Sequence, residues 1–160
     1  MKELTLSTTF KIYEQLSELP SAVFSLMESA VAARDTAYAP YSKFNVGAAI
    51  LLDNNKVVIG SNQENAAYPS GLCAERVAIF QAGALYPNAK IKTIAITATS
   101  QNHKVSLPIP PCGACRQSMA EYESRQNEKI ELYFMGEEGA IMKSESLADI
   151  LPLMFEKSHL

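Results

Sequence analysis

The sequence predicts an α/β fold, one sheet with helices packed on it. Three observations carry this. Apolar residues recur at helical spacing over 21–37 and 72–85. They alternate with period two over 44–53 and 91–99. The order along the chain is helix, strand, strand, helix, strand, helix, strand, which builds a sheet with helices on it. At 160 residues, 48% hydrophobic and 19% charged, the chain has ordinary globular composition and can bury a core without disulfide staples.

Each element has its own reason. Residues 1–20 read as an N-terminal arm, and residues 21–160 as a single domain. Within the arm, Thr5 to Tyr13 is rich in β-branched and aromatic residues and suits an edge strand. Ser21 to Ala37 carries Val23, Leu26, Met27, Ala30, Ala33 and Ala37 on one stripe, with Glu28, Arg34 and Asp35 off it, so it reads as a helix. Phe44 to Asp53 places Phe44, Val46, Ala48 and Ile50 on one strand face. Asp53-Asn54-Asn55 turns the chain, and Lys56 to Ser61 forms the second arm of a hairpin. Asn62 to Gly71 is a polar loop. Leu72 to Leu85 is a helix, and Ile91 to Thr99 a strand. Pro108 to Pro111 is a stiff approach to a helix from Cys112 to Tyr122. Lys129 to Met135 is a further strand. Ser146 to Ile150 is a short last helix, opened by Ser146 with Asp149 three residues on. No repeat or low-complexity stretch occurs.

Charge and cysteine count narrow the function. With 14 Lys and Arg against 17 Asp and Glu, the formal charge is −3, which argues against a polynucleotide partner. Three cysteines are too few, and odd in number, for a disulfide framework. They suit a reduced, cytoplasmic setting and work as metal ligands or catalysts. No apolar run approaches the roughly 20 residues that span a bilayer, and Met1 to Leu6 has no signal-peptide core. The terminal Ser158-His159-Leu160 approaches a peroxisomal address, but a plain polar tail is the simpler reading.

The chemistry concentrates in two motifs. Cys73-Ala74-Glu75-Arg76 opens one helix, and Pro111-Cys112-Gly113-Ala114-Cys115 opens the next, 39 positions from Cys73 to Cys112 with a strand between. That spacing lets two parallel helices present their N-termini side by side, where free N–H groups favour thiolates. Zn²⁺ takes thiolates in tetrahedral array. Three protein ligands with one open position is the catalytic pattern, and four is the structural one. His103, His159 or a carboxylate would have to be the fourth ligand of a structural site. That alternative leaves Glu75 unexplained, and a lone Cys-x-x-Cys also fits a redox pair. Glu75 lies two residues after a ligand and can reach the open position as a general acid/base. A Glu stabilised by its helix dipole is the ordinary alternative. Arg76 can donate to the thiolates and drain the net −1 of a three-thiolate zinc, or simply form a surface ion pair.

Cys73-Ala74-Glu75-Arg76 with Pro111-Cys112-Gly113-Ala114-Cys115-Arg116-Gln117 resembles the zinc-dependent cytidine deaminases of the small homotetrameric, three-cysteine class. Tyr38 to Ala48 and Asn62 to Pro69 also match, and the resemblance runs from about Ala32 to Phe155. It implies a three-layer fold, with a central mixed sheet of about five strands and helices on both faces. It implies hydrolytic deamination of cytidine and 2′-deoxycytidine to uridine and 2′-deoxyuridine with release of ammonia, in pyrimidine salvage. It implies one Zn²⁺ per subunit on Cys73, Cys112 and Cys115, with Glu75 catalytic and Arg76 supporting the thiolates. Phe44 looks like the aromatic that packs on the base. Asn62 and Glu64 look like ribose readers, and the Ala74 amide like a donor to the exocyclic oxygen of the base. Phe155 looks like the residue that closes a neighbouring subunit's pocket in a homotetramer; a core aromatic is its rival reading. The partner implied is a small nucleoside, with no polynucleotide and no membrane. The arm and Ile109-Pro110-Pro111 depart from the family pattern, as does bulky Leu153-Met154 before Phe155.

Overall fold

Successive side chains of a strand point to opposite faces, and that alternation sets the layers. The computed structural model describes all 160 residues. In strand β2 (Phe44–Leu52), Ala48, Ile50 and Leu52 enter a core shared with helices α2 (Ala74–Leu85) and α3 (Gly113–Gln126). Ala49, between them, enters a second core under helix α1 (Ser21–Arg34). Strand β4 (Ile91–Ser100) does the same, with Ile94 and Ile96 toward α2 and α3 and Ala95 toward α1. In strand β5 (Glu131–Met135), Leu132 and Phe134 face one core, Tyr133 and Met135 the other. Three layers result: α1, the sheet, and the α2–α3 pair.

The sheet holds six strands. Strands β1 (Lys11–Tyr13), β3 (Val57–Ser61) and β6 (Ile141–Ser144) complete it, in the order β1-β6-β5-β4-β2-β3. Only β4 and β5 pair in parallel, so the sheet is mixed. The count exceeds the expected five because β6 carries no apolar period. It is four residues long, and its third residue is a lysine that is buried. Lys143 is held by Glu131 at 2.7 Å and Glu145 at 3.0 Å, and lies 5.4 Å from the Tyr133 ring centre. Lys11 of β1 reaches the same Glu145 at 2.7 Å, which fastens the arm to the sheet edge.

Element ends differ from expectation for local reasons. The edge strand expected over Thr5 to Tyr13 keeps only its last three residues. Helix α1 stops at Arg34 rather than Ala37, where Asp35, Thr36 and Ala37 tighten to i→i−3 bonds on Ala32, Ala33 and Arg34. Helix α3 runs four residues past Tyr122 and ends at left-handed Asn127, φ 52°. The last helix is a single 3₁₀ turn, Leu147–Asp149, capped by Ser146 accepting from the Ala148 amide.

Topology places the two helix N-termini together. Helix α2 ends where β4 begins, and α3 starts after β4 ends. Both helices lie on the same face and run back against β4. Their first turns therefore meet near its C-terminal end, the usual place for a site in an open α/β sheet. Two glycines let α1 and α2 lie close against the two faces of the sheet. A Cβ at Gly47 would come within 2.0 Å of the Ala30 carbonyl oxygen of α1. One at Gly60 would come within 2.6 Å of Ala74 O and Ala78 N of α2.

Gly60→Ala must push α2 off the sheet, and is expected to destabilise the fold by about 1–3 kcal/mol. Gly113, where an added Cβ would meet nothing within 4 Å, is the internal control. Gly113→Ala is expected to leave the melting temperature unchanged or slightly raised. Thermal unfolding of both variants checks this.

Candidate active site

Cys73 and Cys112 occupy the N-cap positions of α2 and α3, with extended backbones (φ −72°, ψ 154° and φ −66°, ψ 167°). Neither thiol caps its own helix. They face each other instead, with Sγ to Sγ 3.9 Å. Cys115, one turn into α3 and fully buried, lies 3.4 Å from Cys112. A tetrahedral metal with Zn–S of about 2.3 Å separates its sulfurs by about 3.8 Å. The donor set fits zinc in chemistry and in spacing. No histidine or carboxylate completes the cluster. His103 lies at the surface with its ring against Ser100. Three ligands with one side open is the catalytic arrangement.

The electrostatics are arranged for negative sulfur. The Arg76 guanidinium donates to Cys73 Sγ at 3.8 Å. Hydrogen bonding from Cys115, together with Arg76 and Cys112, outweighs burial and lowers the Cys73 thiol to about 5. Cys115 moves the other way, because it donates to Cys73 and is buried beside Glu75. The Arg76 bond to Cys73 comes from Nη2, while Arg76 Nε is buried with no acceptor.

Glu75 is the buried acid of the site, 5% exposed. Burial first, and the Cys73 charge after it, push its carboxyl up to about 6. A carboxyl that changes state near neutrality is suited to proton transfer. It borders a cavity of about 410 Å³, within the usual range for small-molecule sites. Phe44, Asn62 and Glu64 line the same cavity, as do Cys73 and Cys112. Ala74 is fully buried behind them, its amide among the first-turn N–H groups that no helix carbonyl can reach.

Asn62 and Glu64 also hold the wall they line. Asn62 accepts from Val46 N at 2.7 Å and donates to Phe44 O at 2.9 Å. Glu64 accepts from the Tyr41 and Ser42 amides at 2.9 and 3.2 Å. Burial opposes the ionised form of Glu64, but bonds from Ser42 and these amides, with Lys43 nearby, hold its carboxyl below the usual range.

Phe155 is elsewhere. It is 60% exposed, stacks on His159 at 5.6 Å, and its carbonyl accepts from Gln117. It is not a core aromatic, and it does not line the cavity of its own chain. Ser42, Val46, Ile109 and Pro110 do line it, and the motifs do not single them out. Val46 is legible, since it shares a strand face with Phe44. Ile109 and Pro110 stand out in sequence only as a departure.

The purified chain is expected to carry about one zinc, and Cys115→Ser to lose most of it, as measured by metal analysis after desalting. His103→Ala is expected to retain full zinc.

Comparison with known proteins agrees with this geometry. Residues 21–127 match the family described as the cytidine and deoxycytidylate deaminase zinc-binding region. A cytidine deaminase of Halalkalibacterium halodurans is 46% identical over 96 residues, 60% of this chain and 68% of that protein. One of Sporosarcina psychrophila is 38% identical over 138 residues, 86% of this chain and 94% of that protein. The crystal structure of cytidine deaminase from Burkholderia pseudomallei superposes with a TM-score of 0.70 at 40% identity, over 82% of this chain and 97% of that one. With the family match spanning well over half its length, and three thiols placed for zinc, the chain belongs to the cytidine and deoxycytidylate deaminase zinc-binding family.

Proposed function

We propose that the protein is a zinc-dependent deaminase of cytidine and 2′-deoxycytidine, releasing uridine or 2′-deoxyuridine and ammonia. The observation that carries this is Glu75. It is a buried carboxyl beside a three-thiol cluster, at the border of a cavity sized for a small molecule. Zinc on Cys73, Cys112 and Cys115 would supply Lewis acidity, bringing the ionisation of water toward neutral pH. Glu75 takes the proton that water gives up and carries it to N3 of the pyrimidine, as the hydroxide oxygen bonds to C4. It then carries the proton of the new C4 hydroxyl to the amino group; the C4–N bond breaks, ammonia leaves, and the C4 oxygen becomes the carbonyl of the product. Arg76 draws charge from the sulfurs and keeps the centre electrophilic.

The remaining residues read the substrate. Phe44 packs on the base, and the Ala74 amide donates to the exocyclic oxygen. Glu64 and Asn62 take the sugar hydroxyls, each with capacity beyond the bonds it already makes: a carboxylate has about four acceptor sites, and an amide has two donors and an acceptor. Phe155, exposed and apolar, closes the pocket of a neighbouring subunit in a homotetramer. Residues 21–160 form the catalytic domain and 1–20 an arm upon it. A cytoplasmic role in pyrimidine salvage suits three free thiols that must stay reduced, and no helix is long and apolar enough to cross a membrane.

Turnover of both nucleosides, followed by ultraviolet absorbance with zinc assayed on the same sample, tests the reading. Zinc without turnover of either would overturn it. Glu75→Gln is expected to keep fold and zinc while losing at least about 10²–10⁴ in kcat. The base form of Glu75 predominates only above its shifted value of about 6. The parent's kcat/KM is therefore expected to fall as pH drops through that region. A profile flat down to pH 5 would remove Glu75 as the base.

A further inference from the structure

Pro110 borders two cavities. One is the candidate active site. The other, about 330 Å³, is lined by Phe10, Pro108, Arg116 and Ile150, among others. The Pro108–Pro111 segment is thus a thin partition, with substrate space on one side and the arm on the other. It also leads directly into the ligand Cys112.

This partition has few means of holding its place. Three of its four residues are prolines, which have no N–H to donate. From Ser106 to Pro110, no backbone hydrogen bond ties it to the rest of the chain. Its one strut is Arg116, which donates from Nε to Pro111 O at 2.8 Å and from Nη1 to Ile150 O at 3.0 Å. That strut fixes the Cys112 end. The Pro108–Pro110 stretch, which forms the cavity wall, must be held by packing.

Phe10 is placed to supply that packing. It is half-buried, packs against the core under α2 and α3, and lines the second cavity together with Pro108 and Pro110. The next residue, Lys11, starts β1 and is fixed by Glu145. Phe10 therefore stands on an anchored strand, not on a loose tail. It also lies outside the residues 21–127 that match the family. We propose that Phe10 is a positioning residue for substrate: the arm backs the Pro108–Pro110 wall and so sets how tightly the cavity closes on its ligand.

The proposal rests on the nucleoside deaminase reading, so the test has one arm that depends on turnover and one that does not. In the full-length zinc-loaded protein, Phe10→Ala is expected to raise KM for cytidine about 3- to 10-fold with kcat within about twofold. Zinc content should stay at one per chain, because Arg116 still holds the Cys112 end. Phe10→Leu, which restores apolar bulk, should bring KM back to within about twofold of the parent. Independently of activity, the Ile109 methyl signals in the NMR spectrum of the ligand-free protein should shift and lose order parameter in Phe10→Ala relative to the parent, since Ile109 stands in the cavity wall. Unchanged Ile109 methyl signals overturn the proposal, whatever the turnover. So does an unchanged KM in an active enzyme, or a loss of zinc and kcat that tracks the melting temperature. An inactive parent would sink the nucleoside reading alone, and the Ile109 methyl signals would still decide the role of Phe10.

Discussion

The convergence of three thiols at two helix N-termini is the constraint on which this structure turns. Two unit charges 4 Å apart interact by about 1 kcal/mol in water and about 4 kcal/mol at an effective dielectric constant of 20. Three sulfurs with neighbours at 3.4 and 3.9 Å need positive charge around them. The chain provides it from two helix dipoles and the Arg76 guanidinium, and it spaces the sulfurs so that a divalent ion could add the rest. Here the two helix ends meet because the helices run parallel on one face of the sheet. The passage of α2 into β4, and of β4 into α3, delivers that arrangement. The glycine contact of β3 with α2 then brings the first turn of α2 close to the sheet.

The cavity walls follow a second rule, in which the residues facing the substrate space also shape it. Asn62 stitches two backbone groups of β2, and Glu64 gathers two amides of the preceding loop. Each side chain is thereby fixed before any ligand arrives, which reduces the ordering that binding requires. The proline wall opposite has no such bonds, so the cavity has one stiff side and one side held by packing.

Legibility in the sequence follows the range of the signals. Helices α1 and α2 and strands β2 and β4 carry full apolar periods, and they appear where period predicts, apart from the last turn of α1 and the first two residues of α2. Cys73, Cys112 and Cys115 are readable because metal chemistry restricts both residue type and spacing, and the structure brings all three together. Strand β6 is not readable. It is short, and its burial of Lys143 depends on Glu131 of the neighbouring strand, a partner that a local window does not weigh, as well as on nearby Glu145. The same holds for Phe10, whose significance lies in a contact between distant parts of the chain. The backbone bonds of Asn62 are likewise hidden, since a polar residue at a strand end reads as loop. Phe155 is visible as an aromatic, yet its exposure cannot be read from pattern.

The two edges of the sheet differ in what they offer a second molecule. On one side β1 presents three residues and a lysine already engaged with Glu145. A strand so short and so charged is a poor template for further pairing. On the other side β3 presents five residues, with Val57 and Ile59 both nearly half exposed. When the protein is concentrated or partly unfolded, strand-to-strand aggregation has one favourable starting point, and it is β3. The arm that docks β1 thus protects the β6 edge from the same fate.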